Sequence, residues 1–162
     1  MAIESLEAVD FVDHSKKAVT GISQGGGLSI AVGRFLMMFQ YACPMSPFFA
    51  VSNELWTLGL WIPTWKSKDI WQHTEVAIKN SWETLGYFDA VNFAKRANVP
   101  ALFSAGLLDE VCPPSTVFAA FNHYKGEKQI ECYPFNGHEG GQLDHLEKQV
   151  RFLNSLYGLV QQ

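Results

Sequence analysis

The sequence has few charged residues, and they form no patch of one sign. Charged side chains make up 17% of the 162 residues, and 12 Lys and Arg stand against 16 Asp and Glu, for a net charge of -4. The basic residues are scattered along the chain rather than clustered, so they offer no surface that would attract a phosphate backbone. We therefore expect no nucleic-acid partner.

A long apolar run and a basic leader are also missing. The most apolar stretch, residues 35–51, contains polar residues and prolines: Gln40, Pro44, Ser46 and Pro47. It is too broken to cross a bilayer. The chain starts with acidic residues at Glu4 and Glu7, where a signal peptide would have a basic start followed by an apolar core. We expect no membrane partner and a cytoplasmic location.

Cysteine and paired metal ligands are scarce as well. The three cysteines are odd in number and have no metal-ligand spacing, and we interpret them as reduced structural thiols: Cys43, Cys112 and Cys132. Four histidines lack the H-x-x-x-H spacing of a zinc site and are interpreted as solvated or structural: His14, His73, His123 and His145. We therefore expect no metal.

Apolar residues, by contrast, are abundant. Hydrophobic side chains make up 48% of the chain and aromatic side chains 14%, which is more apolar than an average soluble domain and enough for one core. Short strand patterns occur at residues 18–20, 41–45, 100–106 and 128–134. Helical patterns occur at residues 28–32, 87–97, 114–124 and 143–159. This alternation predicts an α/β fold with a parallel sheet of about four strands and crossover helices.

One glycine-rich turn lies between a predicted strand and a predicted helix. Gly21-x-Ser23-x-Gly25 fits the nucleophile elbow, in which small flanking residues let the chain turn so tightly that the serine hydroxyl is exposed. The motif is weak alone and gains weight from its strand-turn-helix context. The alternative is a glycine-rich turn with an incidental serine. The N–H of Gln24, at the helix start, is a candidate donor to an oxyanion.

A serine hydroxyl needs an imidazole to accept its proton and a carboxylate to orient that imidazole. Asp109 follows the third predicted strand and His138 follows the fourth, at the strand ends where open parallel sheets bind ligands. The order serine, acid, histidine is that of a known hydrolase fold. Two alternatives remain open at this stage: Asp109 could be a helix cap, and Glu110 could be the acid instead.

Four segments carry a family resemblance: residues 21–29 (GISQGGGLS), 86–92 (GYFDAVN), 106–116 (GLLDEVCPPST) and 136–141 (NGHEGG). Together they resemble carbohydrate esterase family seven, which contains acetyl xylan esterases and cephalosporin-C deacetylases. The resemblance extends from about residue 3 to the C-terminus and is most specific around Cys112. It implies an α/β-hydrolase fold in which Ser23, Asp109 and His138 match the catalytic triad.

The resemblance also implies a reaction and partners. The expected reaction is removal of acetyl groups from xylo-oligosaccharides, other sugars or cephalosporin C through an acyl-serine, without a cofactor. Members of the family commonly form hexameric rings, so a homo-oligomer is expected. A peptidase or a dienelactone-type hydrolase would use the same fold and residue order, and the segment at 112–116 argues against both.

The sequence departs from the family in two respects. Ile22 replaces a glycine usual before the serine, a change that the elbow tolerates. The family also has a long N-terminal portion, with the first strands and a tyrosine whose N–H completes the oxyanion hole. We therefore expect residues 1–162 to form one partial domain, the C-terminal half, with residues 46–82 as a helical insertion over the site. A non-catalytic remnant acting by association is the alternative.

Overall fold

A computed structural model describes residues 9–10, 12–35, 41–45, 84 and 86–158. Its strands and helices alternate along the chain: β1 (Ala18–Ile22), α1 (Gln24–Phe35), β2 (Tyr41–Met45), α2 (Ala90–Ala94), β3 (Ala101–Gly106), α3 (Pro114–His123), β4 (Lys128–Tyr133) and α4 (Gln142–Tyr157). The predicted insertion at residues 46–82 lies outside the described residues. Within the described residues, no helix is long and apolar enough to span a membrane.

The strands form one sheet of four strands in the order β1-β2-β3-β4. All three neighbouring pairs are parallel, with Ala18 beside Tyr41 and Ala101 beside Lys128. Because parallel neighbours need a crossover, the intervening helices lie on the sheet faces. The predicted parallel α/β architecture is confirmed, and the carboxyl ends of all four strands lie along one edge.

The core lies around β3, whose six residues are all buried. Phe103 is fully buried and makes edge-to-face ring contacts with Phe121 and Tyr124, at centroid distances of 5.5 and 5.3 Å. Such contacts add to the stabilisation from apolar burial. Alanines at positions 90, 94 and 97 are buried in the same core cluster, and α2 packs against α1 and α3.

Helix α2 is shorter than the predicted helix at 87–97. It begins at Ala90 because Asp89 is its N-cap, and the Asp89 carboxylate accepts a hydrogen bond of 2.9 Å from the N–H of Val91. An aspartate in this position satisfies a donor that the helix leaves free. The helix predicted at 87–97 is therefore interrupted at Asp89, because residues 86–88 are helical before it and α2 begins after it.

Candidate active site

Ser23 occupies a strained turn between β1 and α1. Its φ is 57°, in the left-handed region that non-glycine residues rarely adopt. A Cβ atom on Gly21 would lie 2.4 Å from the carbonyl group of Gly25, so only glycine fits at position 21. At Gly25 itself a Cβ would meet nothing within 4 Å. The tightness of the turn therefore depends on Gly21, and strain of this kind clusters at active sites.

Gln24 begins α1 directly after Ser23. The carbonyl oxygen of Ser23 accepts the first helical hydrogen bond, from the N–H of Gly27 at 3.1 Å. The N–H groups of the first helical turn have no partner within the helix, and the helix dipole favours negative charge there. This end of α1 therefore offers main-chain donors beside the Ser23 hydroxyl.

Asp109 and His138 are joined by a hydrogen bond of 2.9 Å between Oδ2 and Nδ1. The side chain of Asp109 is 0% exposed and that of His138 is 32% exposed. The second carboxylate oxygen, Oδ1, accepts hydrogen bonds of 2.8 Å from the N–H groups of Val111 and Cys112. The carboxylate is thus held from both sides, whereas the neighbouring Glu110 is exposed.

The loops that carry these two residues are in direct contact. The N–H of Leu108 donates to the carbonyl of Asn136 at 3.0 Å, and the N–H of Leu107 donates to the carbonyl of Tyr133 at 3.0 Å. A Cβ on Gly106 would lie 2.0 Å from the carbonyl oxygen of Gly137. Glycine at position 106 therefore permits the approach that places His138 against Asp109. Apart from the glycine itself, no local pattern predicts this contact.

The turn that bears His138 is closed by Glu139. Its Oε1 accepts hydrogen bonds from the side-chain amide of Asn136 at 3.0 Å and from the N–H of Gly137 at 3.1 Å. The pKa of Glu139 is lowered, chiefly by a hydrogen bond to its own backbone and by that from Asn136. The sequence does not identify Glu139 as part of the site. Its position directly after His138 is the one feature of the sequence that could have indicated this role.

Cys112 lies among these groups with 1% of its surface exposed. Burial together with the negative charge of Asp109 raises the pKa of its thiol to about 12, against a smaller opposing effect of Ser23. The thiol is therefore protonated at neutral pH and is a weak nucleophile. Its Sγ lies within 4.8 Å of a carboxylate oxygen of Asp109 and a ring nitrogen of His138.

The other described histidines lie away from this cluster. His145 is fully buried in α4, where its Nδ1 lies 3.1 Å from the hydroxyl of Tyr133, and burial lowers its pKa to about 4. His123 is exposed and donates from Nδ1 to the carbonyl of Ala119 at 2.8 Å. His14 is exposed, and His73 lies outside the described residues.

Comparison with known proteins shows the family to which this chain belongs. The family model described as acetyl xylan esterase (AXE1) matches residues 1–156. The chain belongs to the acetyl xylan esterase family. Acetyl esterase Axe7A of Xylanibacter ruminicola is 38% identical over 74 residues, which cover 42% of this chain and 17% of that protein.

Two solved structures of acetyl xylan esterases share the fold. Acetyl xylan esterase 1 from Thermoanaerobacterium sp. is 31% identical with a TM-score of 0.83, over 96% of this chain and 50% of that one. The acetyl xylan esterase from Paenibacillus sp. R4 is 33% identical with a TM-score of 0.85, over 95% and 49%. The α/β-hydrolase fold expected from the sequence is confirmed, and this acetyl xylan esterase family chain spans about half the length of either structure.

Proposed function

We propose that this chain carries the catalytic residues of a serine esterase that removes acetyl groups from acetylated xylo-oligosaccharides, other sugars or cephalosporin C. The observation that carries the proposal is the hydrogen bond of 2.9 Å between His138 Nδ1 and the buried carboxylate of Asp109, together with the strained turn that holds Ser23 directly after β1. Because the carboxylate holds Nδ1, the free Nε2 of the ring is the atom that serves as base.

Acylation follows from these positions. The Ser23 Oγ attacks the acetyl carbonyl carbon while His138 Nε2 takes the hydroxyl proton, and Asp109 stabilises the resulting imidazolium. The N–H of Gln24 donates to the oxyanion, a contribution worth about 10²–10³-fold in rate per donor in serine hydrolases. Collapse of the tetrahedral intermediate breaks the ester C–O bond. His138 then protonates the departing sugar oxygen, and acetyl-Ser23 remains.

Deacylation repeats these steps with water as the nucleophile in place of the serine hydroxyl. His138 takes a proton from a water molecule, whose oxygen attacks the acetyl carbon of acetyl-Ser23. The second tetrahedral intermediate releases acetate and returns the proton to the Ser23 oxygen. The reaction is complete with protein groups and water, so the proposal includes no cofactor. The chain is proposed to act in the cytoplasm as a homo-oligomer.

The substrate assignment is supported by the family and by the names of the similar proteins, two acetyl xylan esterases and an acetyl esterase. The segment Cys112-Pro113-Pro114-Ser115-Thr116, in which the resemblance is most specific, follows the catalytic acid directly. A preference for acetyl over butyryl esters and over peptides is the expected specificity. The opposite preference would favour a peptidase or a dienelactone-type hydrolase.

Turnover of p-nitrophenyl acetate tests the proposal. We expect a burst of p-nitrophenol followed by steady turnover from the folded protein, and neither from Ser23→Ala. The matched control is Ser115→Ala, which removes an exposed hydroxyl from the first turn of α3 and should retain the burst. Folded protein without Ser23-dependent turnover would instead support a non-catalytic remnant that acts by association.

A further inference from the structure

Three different donor atoms converge on the buried side of the candidate active site. A carboxylate oxygen of Asp109, the Sγ of Cys112 and a ring nitrogen of His138 all lie within 4.8 Å of one another. Two of these residues are buried, and the third is partly exposed. The carboxylate oxygen and the ring nitrogen belong to the proposed catalytic triad. The sulfur of Cys112 has no role in the triad, and it is a soft metal ligand close to the other two atoms.

We infer that Asp109, Cys112 and His138 form an inhibitory site for a thiophilic divalent cation such as Zn²⁺ or Cd²⁺. The cation is an inhibitor here and no cofactor, so the inference is separate from the expectation that the esterase needs no metal. The inference that a cation binds rests only on the positions of the three donor atoms. Its inhibitory effect rests on the proposed esterase function.

The donor set fits such a cation in type. Zinc is bound in proteins by thiolate, imidazole and carboxylate, often three such ligands with a water as the fourth. Bond lengths of about 2.0–2.3 Å place tetrahedral ligand atoms roughly 3.3–3.8 Å apart. The described spacing, within 4.8 Å, therefore needs movements of about 1 Å or less on that geometry. Sulfur favours Zn²⁺ and Cd²⁺ over Mg²⁺ or Ca²⁺.

The charges also balance. The Asp109 carboxylate contributes one negative charge, and the Cys112 thiol contributes a second when it releases its proton to solvent on binding. A neutral His138 ring completes the set, so a divalent cation neutralises the buried charge. This matters because an unpaired charge at a buried position is costly. The cation reaches the site along the side chain of His138, which is 32% exposed.

Inhibition follows from what the cation occupies. A cation bound to a ring nitrogen of His138 and to the carboxylate of Asp109 replaces the hydrogen bond between them. It either takes the lone pair that would accept the Ser23 proton or turns the ring away from Ser23. In each case the base is lost while the chain stays folded. Inhibition is therefore expected to reverse when a chelator removes the cation.

Titration of the folded protein with Cd²⁺ tests the site without measuring activity. We expect a thiolate-to-cadmium ultraviolet band that saturates at one equivalent and is displaced by Zn²⁺. In Cys112→Ser the band should disappear, and the affinity measured by calorimetry should fall at least about 100-fold, since loss of an outer-shell partner alone costs 10–100-fold. The matched control, Cys132→Ser, removes an exposed thiol outside the cluster and should retain the band.

Two further measurements keep the inference falsifiable. If Cys112→Ser does not fold, His138→Gln serves instead, and its Cd²⁺ affinity should fall by a similar factor. Inhibition of p-nitrophenyl acetate turnover by Zn²⁺ should be reversed by EDTA and should follow the same affinity. Absence of the band in the wild type, or an equal band in Cys112→Ser, overturns the metal site and leaves the esterase proposal intact. A band without turnover would leave the metal site standing and remove the esterase.

Discussion

Gly106 and Gly137 approach so closely that a Cβ on Gly106 would lie 2.0 Å from the carbonyl oxygen of Gly137. This contact joins the loop after β3 to the loop after β4. The first loop carries Asp109 and the second carries His138, which are hydrogen-bonded at 2.9 Å. The distance between acid and base thus depends on a backbone contact at which no side chain fits.

Gly106→Ala should therefore separate the two loops. Since the nearest atoms are backbone and cannot move aside cheaply, we expect a loss of about 1–3 kcal/mol in unfolding free energy, as for other overpacked positions. Esterase activity should fall with it. Urea denaturation and initial rates measure the two effects. Gly86→Ala, where a Cβ would meet nothing within 4 Å, is the control and should change stability little.

Asp109→Asn tests the assignment of the acid. An amide at this position stabilises the wrong tautomer of His138, so we expect kcat for p-nitrophenyl acetate to fall about 10⁴-fold with the fold intact, as it does in Ser-His-Asp enzymes. Glu110→Gln changes the neighbouring carboxylate, which is exposed, and should retain wild-type kcat. The reverse pattern would assign the acid to Glu110.

The pH dependence of stability should show a contribution from His145. Burial lowers its pKa to about 4 from the usual 6.5, so between pH 6.5 and 4 the unfolded chain binds a proton that the folded chain does not. Stability from this group is fully present above pH 6.5 and falls as pH drops toward 4, by on the order of 3 kcal/mol. Glu131 and Lys148 also act on the ring, in opposite directions.

Comparison with a neutral side chain isolates this contribution. His145→Gln removes the titrating ring, so its unfolding free energy should depend less steeply on pH between 6.5 and 4 than that of the wild type. Urea titrations at several pH values measure the slopes. His123→Gln, at an exposed position, should keep the wild-type slope. Equal slopes for wild type and His145→Gln would show that His145 does not titrate as described.

Much of this fold could be predicted from local patterns. The glycine-flanked Ser23, with a strand before it and a helix after it, gave the position of the first strand, the turn and the helix. Strand patterns ending before Asp109 and His138 placed both residues at one edge of the sheet, because parallel strands end on the same side. These features depend on residues close together in sequence.

The rest depends on contacts between distant parts of the chain. Apolar periodicity predicts one helix at 87–97, whereas the structure interrupts the helix at Asp89, whose carboxylate caps α2. Cys112, which the sequence predicts to be a structural thiol, lies beside His138, a residue distant in sequence. Close approach at Gly106 also arises from packing of two loops. No local pattern carries such information.

Covalent labelling of the folded protein tests directly whether Ser23 is an activated nucleophile. A fluorophosphonate reacts only with a serine whose hydroxyl is activated by a neighbouring base, and mass spectrometry of the digested protein identifies the residue. We expect a single adduct on Ser23 that is lost in His138→Ala and retained in Ser115→Ala. Folded protein that carries no adduct on Ser23, or carries it equally without His138, would show that His138 does not activate Ser23.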